Sequence, residues 1–494
     1  MDIPDTQNAA DKFYKIINEL LNKYYPIKNI TVTNKDPPFM TAELKSMLRR
    51  KNALMRKGRT EEAGALAIKI SKLIAKSNSK TLTNIKSKNT KGLWSQVNRI
   101  IKKTAPNIGD LGNVKITATD LNTHYAEIST DLSYRDPILK TVQAYDNSLV
   151  VSEYMVFNKL DKLKSTSSGP DGIPFWFFRL AAHLLAGPLA HIYSLSLNSA
   201  VVPTQWKKAI ITPIAKISKP VALTDYRPIS VTSVLSRILE RHIVSTYVYP
   251  ALLDPPLDLD FTNQYAFRPS GSCTAALIAI LADVSDLLKK NDCVILIALD
   301  FSRAFDSIKH EKLFENYYKL KLQNKAYNWL LSFFKNRTHS TKFMGLESTE
   351  LVINSSVVQG SGLGPASYSV AASGLRPKSN KIKMHKFADD TTLITAGANY
   401  SDLSDELNHI ESWAGSCNLK LNKSKSYEII FTKKRCRLTV ALPEPTLDIK
   451  RVDSIKLLGV TLHNKLSMDE HVNKILAGCS SSLYALNSLR AYMA

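Results

Sequence analysis

The chain has 494 residues, 44% of them hydrophobic, which allows two or three domains with a proper core and excludes a disordered protein. Its 66 Lys and Arg outnumber 43 Asp and Glu, giving a formal net charge of +23, while five scattered cysteines exclude a disulfide framework or a zinc site. No apolar run approaches membrane-spanning length and the first residues are acidic and polar, so we expect neither a membrane segment nor a secretion signal, and a location in the nucleus or cytoplasm.

The first 110 residues are predicted to form a basic helical extension. Apolar residues recur at helical spacing over residues 7–25, and two more helical tracts are expected over residues 43–77 and 81–103. Residues 41–104 contain 17 Lys and Arg against three acidic residues. Because solvated helix faces normally interleave both signs, such a one-sided segment indicates binding to a polyanion.

Mixed helices and strands follow a predicted linker over residues 111–150. Helices are expected over residues 175–200, 231–247, 311–334 and 401–416. Strands are expected over residues 209–216, 293–300, 386–395, 426–432 and 456–462. Helices packed on one side of a largely antiparallel sheet predict an α+β fold rather than a doubly wound α/β fold.

Three aspartates stand where predicted strands end. Asp300 closes an apolar strand, and Asp389 and Asp390 lie inside a stretch typical of a β-hairpin. Adjacent strand residues point to opposite faces, so Asp389 and Asp390 face one site only if they lie in the turn. Converging carboxylates supply the oxygen ligands that two Mg²⁺ ions need for phosphoryl transfer. Taken singly, however, an Ala-Asp-Asp sequence is more typical of a solvated turn, and Asp300 could equally cap a helix.

An ordered series of motifs surrounds these carboxylates. It comprises Ser167-Ser168-Gly169-Pro170-Asp171-Gly172, Trp206-Lys207-Lys208-Ala209, Asp225-Tyr226-Arg227-Pro228-Ile229-Ser230, Gln264-Tyr265-Ala266-Phe267-Arg268-Pro269, Gln359-Gly360-Ser361-Gly362-Leu363-Gly364-Pro365, Leu419-Lys420-Leu421-Asn422-Lys423-Ser424-Lys425 and Ile455-Lys456-Leu457-Leu458-Gly459-Val460. On these motifs the chain, from about residue 160 to its C-terminus, resembles the reverse transcriptases of LINE-type, non-LTR retrotransposons, within them the jockey-like branch. It departs from the family pattern at Phe387, where Tyr is commoner, and at Val358, where Pro is frequent.

The resemblance implies a right-hand polymerase with fingers over residues 151–290 and a palm over residues 291–462. The reverse transcriptase domain itself would cover about residues 195–462. Residues 463–494 would begin the thumb. Family members usually carry an endonuclease upstream and a complete thumb downstream, so we expect this chain to be a truncated copy with an incomplete thumb.

The resemblance also implies RNA-directed DNA polymerase activity, with an RNA template, a DNA primer or target, and dNTPs as partners. The implied cofactor is a pair of Mg²⁺ ions, with Mn²⁺ as an alternative. Asp300 and Asp389 would bind both ions, Asp390 would be the supporting carboxylate, and the backbone carbonyl of Phe301 would be a further ligand.

Residues around the nucleotide are implied in the same way. Phe305, five residues after Asp300, would be a steric gate against the ribose 2′-hydroxyl, although a core aromatic is the alternative. Gln359 and Gly360 would lie under the incoming base and the template.

Cations are expected along the phosphates. Lys216 and Arg227 would bind the triphosphate, Lys425 would donate a proton to pyrophosphate, and Arg268 would contact the template or primer backbone. For Lys216, Arg227 and Lys425, an ordinary exposed surface cation is the alternative. A hairpin turn at Leu458 and Gly459 would grip the primer.

Two other functions remain open from the sequence. The first is a nucleic-acid-binding protein that descends from a reverse transcriptase and has lost catalysis, which the intact carboxylates count against. The second is an RNA-dependent RNA polymerase, which shares the palm and the paired aspartates. Phe305 counts against it, because an RNA polymerase needs room for the 2′-hydroxyl.

Overall fold

The structure is a computed structural model that describes residues 5–26, 40–83, 116–143, 146–432, 445 and 449–490. Two compact units divide the chain. One falls within residues 1–18 and 111–468, and the other falls within residues 19–110 and 469–494.

The helices of the described residues are α1 (Thr6–Tyr24), α2 (Ala42–Arg56), α3 (Thr60–Thr83), α4 (Ala118–Ile128), α5 (Glu153–Asp161), α6 (Phe175–Leu180), α7 (Ala182–Ser199), α8 (Thr204–Lys207), α9 (Val234–Ile243), α10 (Tyr249–Leu253), α11 (Cys273–Lys290), α12 (Ala304–Ser307), α13 (His310–Lys319), α14 (Asn324–Phe334), α15 (Gly364–Ala372), α16 (Tyr400–Ser416) and α17 (Asp469–Arg490). A π-helical turn, Val244–Val248, joins α9 to α10.

The strands are β1 (Lys208–Ala215), β2 (Tyr226–Thr232), β3 (Cys293–Leu299), β4 (Phe301–Ser302), β5 (Arg337–Phe343), β6 (Leu346–Glu347), β7 (Leu351–Ile353), β8 (Lys383–Phe387), β9 (Asp390–Ala396), β10 (Lys420–Leu421), β11 (Tyr427–Thr432), β12 (Lys450–Arg451), β13 (Ser454–Leu457) and β14 (Val460–His463).

A five-stranded sheet with strand order β12-β11-β3-β9-β8 forms the centre of the larger unit. The pairs are antiparallel except for β11 with β12. Strand β3 is apolar at every position because both of its faces are covered, and α11 packs on one of them together with the β13–β14 hairpin. Helices packed against a mainly antiparallel sheet confirm the predicted α+β class.

A second sheet has the strand order β2-β1-β5-β6, with β7 also paired to β5. Strands β1 and β2 are antiparallel, whereas β1 and β5 run parallel. Helix α4 contributes Leu121 and Tyr125 to a small core with Ile211 of β1 and Tyr226 of β2. This core fixes the side of the sheet from which Lys216 and Arg227 extend.

The predicted linker over residues 111–150 differs from the structure, because it contains α4. Thr117 caps this helix: its hydroxyl accepts a hydrogen bond from the Asp120 N–H at 3.1 Å, and the Asp120 carboxylate accepts one from the Thr117 N–H at 2.9 Å. The sequence did carry a helical signal, because the buried residues of this helix recur at helical spacing: Ala118, Leu121, Asn122, Tyr125 and Ala126.

Three long predicted helices are each divided in two. The break within residues 43–77 lies at Gly58, whose φ is 72°, and the break within residues 175–200 lies at Ala181. Within residues 311–334, Leu320 adopts an extended backbone after α13, and both Leu320 and Leu322 are buried. The apolar pattern therefore continues through a connection that is not helical.

Part of one prediction lies outside the described residues. The predicted helix over residues 81–103 can be compared with the structure only as far as Thr83, where α3 ends. Cys436 also lies outside the described residues. Cys273, Cys417 and Cys479 are free thiols. Among the helices that the structure describes, none has both the length and the apolar content needed to cross a bilayer.

Candidate active site

A pocket of about 480 Å³ lies where β3 ends beside the β8–β9 turn. Eight of the predicted site residues line it, although they are spread over more than two hundred positions: Lys216, Arg227, Asp300, Phe301, Phe305, Gln359, Asp389 and Lys425. The sheet register explains the meeting of the two carboxylates. Leu299 pairs with Thr391 on the neighbouring strand, so Asp300 comes next to the turn that carries Asp389.

The backbone of Asp300 is fixed from both sides by residues 422–426. The Asn422 N–H donates to the Asp300 carbonyl at 2.8 Å, and the Asp300 N–H donates to the Ser426 hydroxyl at 3.2 Å. Burial raises the pKa of Asp300; Lys425 and the Asn422 side chain oppose this effect, and Asp389 strengthens it.

Asp389 lies at the tip of a two-residue turn, since Phe387 pairs with Asp390 across the hairpin. Ala388, the other turn residue, has a φ of 57°, a left-handed conformation that Gly usually occupies at the first position of a type II′ turn. Asp390 begins β9, is exposed, and does not line the pocket. The turn therefore presents the two neighbouring aspartates differently.

The pKa values of both neighbouring carboxylates lie above the ordinary range. Burial raises the pKa of Asp389, against the lowering effects of its own backbone N–H and of Arg227. Desolvation, followed by the charges of Asp389 and Asp300, raises the pKa of Asp390 to about 6. A bound cation would relieve this accumulation of like charge.

The fit to a metal ion follows from the donor set. In the described part of the chain, no group of three or more His, Cys, Asp or Glu side chains could hold a metal by itself. Asp300 and Asp389 nevertheless face one pocket, beside the Phe301 backbone. Two carboxylates of this kind suit a hard divalent ion that takes its remaining oxygen ligands from water, a carbonyl and substrate phosphates.

Positive charge lines the opposite part of the pocket. Lys216 follows β1, where its ammonium group donates to the Thr224 carbonyl at 2.8 Å. Burial lowers its pKa, and the nearby cations Arg303, Arg227 and Lys425 lower it further. Cations close enough to repel one another form a site for a polyanionic group such as a triphosphate.

Arg303 and Asp306 are among the charged pocket residues that were not predicted as site residues. Arg303 has a φ of 55° and precedes α12, with its Nη2 atom 3.3 Å from Nε2 of His124. Burial raises the pKa of Asp306 to about 6, although Arg303, Lys216 and Arg227 lower it. Both residues lie in the segment that contains Phe305, the one residue there predicted to contact the nucleotide. Their charged side chains, close to Asp300 in sequence, were the feature that could have identified them as site residues.

The Phe305 ring is half-buried and lines the pocket. It stacks on the buried ring of Tyr368, with centroids 4.6 Å apart and planes inclined by 20°, and Phe267 meets it edge-on at 6.1 Å. Tyr368 lies on α15, a helix that the sequence analysis did not predict. A ring supported from behind and open to the pocket is suited to a steric role.

The glycine-rich turn forms another wall of the pocket. The Gln359 carbonyl accepts a hydrogen bond from the Ser230 N–H at 3.0 Å. Gly360 has a φ of 121°, and a Cβ atom there would collide with the Ser230 carbonyl oxygen. The buried Glu240 carboxylate accepts hydrogen bonds from the N–H groups of Gly362 and Leu363. Strand β2 and helix α9 thus hold this turn in place.

The structure does not bring every predicted residue to the pocket. Gly360 lies next to Gln359 but is not part of the lining. The Arg268 guanidinium donates to the Phe261 carbonyl, outside the pocket. Leu458 and Gly459 form the turn between β13 and β14, with φ values of 47° and 93°, as in a type I′ hairpin.

Comparison with known proteins agrees with this arrangement. Residues 214–462 match the family described as reverse transcriptase (RNA-dependent DNA polymerase). The chain is 28% identical over 304 residues to the RNA-directed DNA polymerase from mobile element jockey of Drosophila melanogaster, covering 58% of this chain and 32% of that protein. It is 26% identical over 315 residues to the probable RNA-directed DNA polymerase from transposon BS of the same organism, covering 61% and 34%.

The chain therefore spans about a third of the length of these curated relatives. The resemblance that the motifs indicate is confirmed by them. Among solved structures, the chain is similar to apo telomerase from Candida tropicalis, truncated from the C-terminal domain. That similarity has 17% identity and a TM-score of 0.38, covering 55% of each chain.

We predict that Gly360→Ala destabilises the protein more than Gly345→Ala. Both glycines have positive φ values, but a Cβ at Gly345 would meet nothing within 4 Å. Both variants therefore place alanine at an unfavourable positive φ. Only Gly360→Ala adds the collision with Ser230, which should lower the free energy of unfolding by a further amount of about 1 to 3 kcal/mol. Chemical denaturation of the two variants measures the difference. Equal losses in the free energy of unfolding would show that the turn can move away from β2.

Proposed function

Because the chain belongs to the reverse transcriptase (RNA-dependent DNA polymerase) family, we propose that it extends a primer 3′-hydroxyl with deoxynucleotides on an RNA template, as part of a non-LTR retrotransposon. One observation carries the proposal: the two carboxylates Asp300 and Asp389 and the cations Lys216 and Arg227 line a single pocket. This combination suits the transfer of a nucleotide from a triphosphate, in which negative charge must be bound on both sides of the reacting phosphorus.

Asp300, Asp389 and the Phe301 carbonyl would hold two Mg²⁺ ions, or Mn²⁺, with Asp390 as the supporting carboxylate. When bound, such ions lower the pKa of the primer hydroxyl and neutralise charge on the leaving pyrophosphate. The protein's own contribution is to fix the ligands. Hydrogen bonds that join the Asp300 backbone to Asn422 and Ser426 hold Asp300 in place, and the tight turn holds Asp389.

The cations are proposed to bind the triphosphate and the product. Arg227 offers a planar fork that suits two phosphate oxygens, whereas Lys216 and Lys425 act as point charges. Lys425 is close enough to Asp300 to lower its pKa, which is a suitable place from which to give a proton to pyrophosphate. Gln359 and Gly360, held against β2, would support the incoming base and the template.

The proposed domain boundary passes through the second sheet, because its strands β5, β6 and β7 fall within the palm range. The fingers would comprise residues 151–290, which include β1 and β2, and the palm would comprise residues 291–462, which include the central sheet. The thumb would begin after residue 463. The turn of Leu458 and Gly459 is the proposed primer contact, and Arg268 is the proposed contact to the template or primer backbone.

The first test is primer extension on an RNA template with dNTPs and Mg²⁺. We expect the wild-type chain to extend the primer and Asp389→Asn to abolish extension, because one of the two carboxylates proposed to hold the metal ions loses its charge. RNA binding and melting temperature should stay unchanged. Asp286→Asn is the matched control, since Asp286 is exposed on α11, where it pairs with Lys289. Full activity of Asp389→Asn would contradict the assignment of Asp389.

Sugar selection provides a second test. Phe305→Ala removes the ring that would contact a 2′-hydroxyl, so we expect ribonucleotide incorporation relative to deoxyribonucleotide incorporation to rise by about tenfold or more. Competition between dNTPs and NTPs in single-nucleotide extension measures this ratio. Phe157→Ala is the control, because that ring is 36% exposed and lies outside the pocket. A wild-type preference for NTPs would favour the RNA polymerase alternative.

The basic segment is expected to bind the nucleic-acid backbone. Replacing four exposed cations by Gln should weaken RNA binding of any sequence and reduce the slope of log affinity against log salt by about 3, at about 0.7 to 0.9 per lost phosphate contact. The positions are Arg49, Arg56, Lys69 and Lys72.

The control replaces four exposed lysines that are each paired with a carboxylate: Lys289, Lys312, Lys321 and Lys381. These changes should leave the salt slope of RNA binding nearly unaltered. Equal slopes for both quadruple variants would identify the basic segment as ordinary solvated surface.

A further inference from the structure

The motif around Gln264 has a structural role that its resemblance does not explain. Residues 263–265 run parallel to β8, the last strand of the central sheet. The Lys386 N–H donates to the Asn263 carbonyl at 2.7 Å, and the Tyr265 N–H donates to the Lys386 carbonyl at 2.8 Å. The segment is therefore fixed beside the strand that leads into the Asp389 turn.

The Gln264 side chain extends from this segment to the turn itself. It is 1% exposed, and its Oε1 atom accepts hydrogen bonds from the N–H groups of Ala388 and Ala266, both at 3.1 Å. Because both partners are backbone N–H donors, the side-chain oxygen and not the amide nitrogen must face them. Ala388 is the residue with the left-handed backbone, so Gln264 holds the turn at its unusual position.

Further contacts hold the same segment against α15. The Ser369 hydroxyl donates to the Ala266 carbonyl at 3.2 Å. The buried Lys386 ammonium group donates to the carbonyls of Ala372 and Leu375, both at 2.8 Å, at the end of that helix. Gln264 is thus supported from a rigid helix and is not free to follow a movement of the turn.

We propose that Gln264 is a positioning residue, which sets the direction of the Asp389 carboxylate by fixing the Ala388 N–H. The inference rests on the proposed function, because it assigns to Gln264 the alignment of a metal-binding side chain. A glutamine that only filled the core would contribute to stability and leave the metal affinity of the pocket unchanged. Metal affinity therefore separates the two roles.

The test compares Gln264→Met, which keeps the length of the side chain and removes the acceptor, with Asn328→Leu. Asn328 is a buried amide on α14 whose oxygen accepts a hydrogen bond from the Lys140 N–H at 2.9 Å, away from the pocket. Mn²⁺ binding to the purified full chain, without nucleotide or primer, is titrated by electron paramagnetic resonance. Melting temperature, kcat and KM for dNTP are measured in parallel.

We expect Gln264→Met to weaken Mn²⁺ binding by about 10-fold to 100-fold, the usual effect of removing a residue that orients a metal ligand. Its kcat should fall more than its KM rises. Asn328→Leu should lower the melting temperature and leave Mn²⁺ affinity unchanged. Unaltered Mn²⁺ affinity in a folded Gln264→Met variant would overturn the proposal.

A milder variant keeps the test decisive if Gln264→Met does not fold. Ser369→Ala removes one hydroxyl contact to the same segment, and weaker Mn²⁺ binding in that variant supports the proposal, whereas wild-type affinity overturns it.

Failure of the proposed function would give a different result. A wild-type chain that binds Mn²⁺ but does not extend a primer would refute polymerase activity, while the Mn²⁺ titrations would still decide the role of Gln264.

Discussion

Two negative charges in a half-buried pocket are the constraint on which the rest of the site depends. Withdrawing Asp300 and Asp389 from water disfavours their charged forms, and their proximity adds repulsion. The surrounding residues act against that cost. Arg227 and Lys425 supply opposite charge, and the Asn422 side chain lowers the pKa of Asp300. This arrangement supports the proposed binding of divalent cations.

The central sheet supplies the geometry that this electrostatic arrangement requires. Strands β3 and β9 are neighbours, and the tight hairpin between β8 and β9 leaves little freedom for Asp389. Lys216 and Arg227 come from the β1–β2 part of the second sheet, against which α4 packs. Lys425 instead precedes β11 of the central sheet, so both sheets contribute cations to the pocket.

Much of this arrangement could be predicted from the sequence where a local pattern determines it. The apolar run of β3 ends at a carboxylate, so Asp300 was recognisable without a structure. Helix α4 was missed although its buried residues have helical spacing, because one of them, Asn122, is polar and interrupts the apolar face of a short helix. Tyr368 and Gln264 were missed as supporting residues for a different reason. Their importance comes from the residues they contact, Phe305 and Ala388, which are far away in sequence.

The segment next to β8 also affects the solubility of the central sheet. An uncovered outer strand offers unpaired N–H and C=O groups to any other β-strand, which is a common start of aggregation. Residues 263–265 occupy part of that edge. At the opposite edge, β12 is only two residues long, and both residues, Lys450 and Arg451, are cationic. One edge is thus partly covered by its own chain and the other is short and cationic, and both features hinder edge-to-edge pairing with another strand.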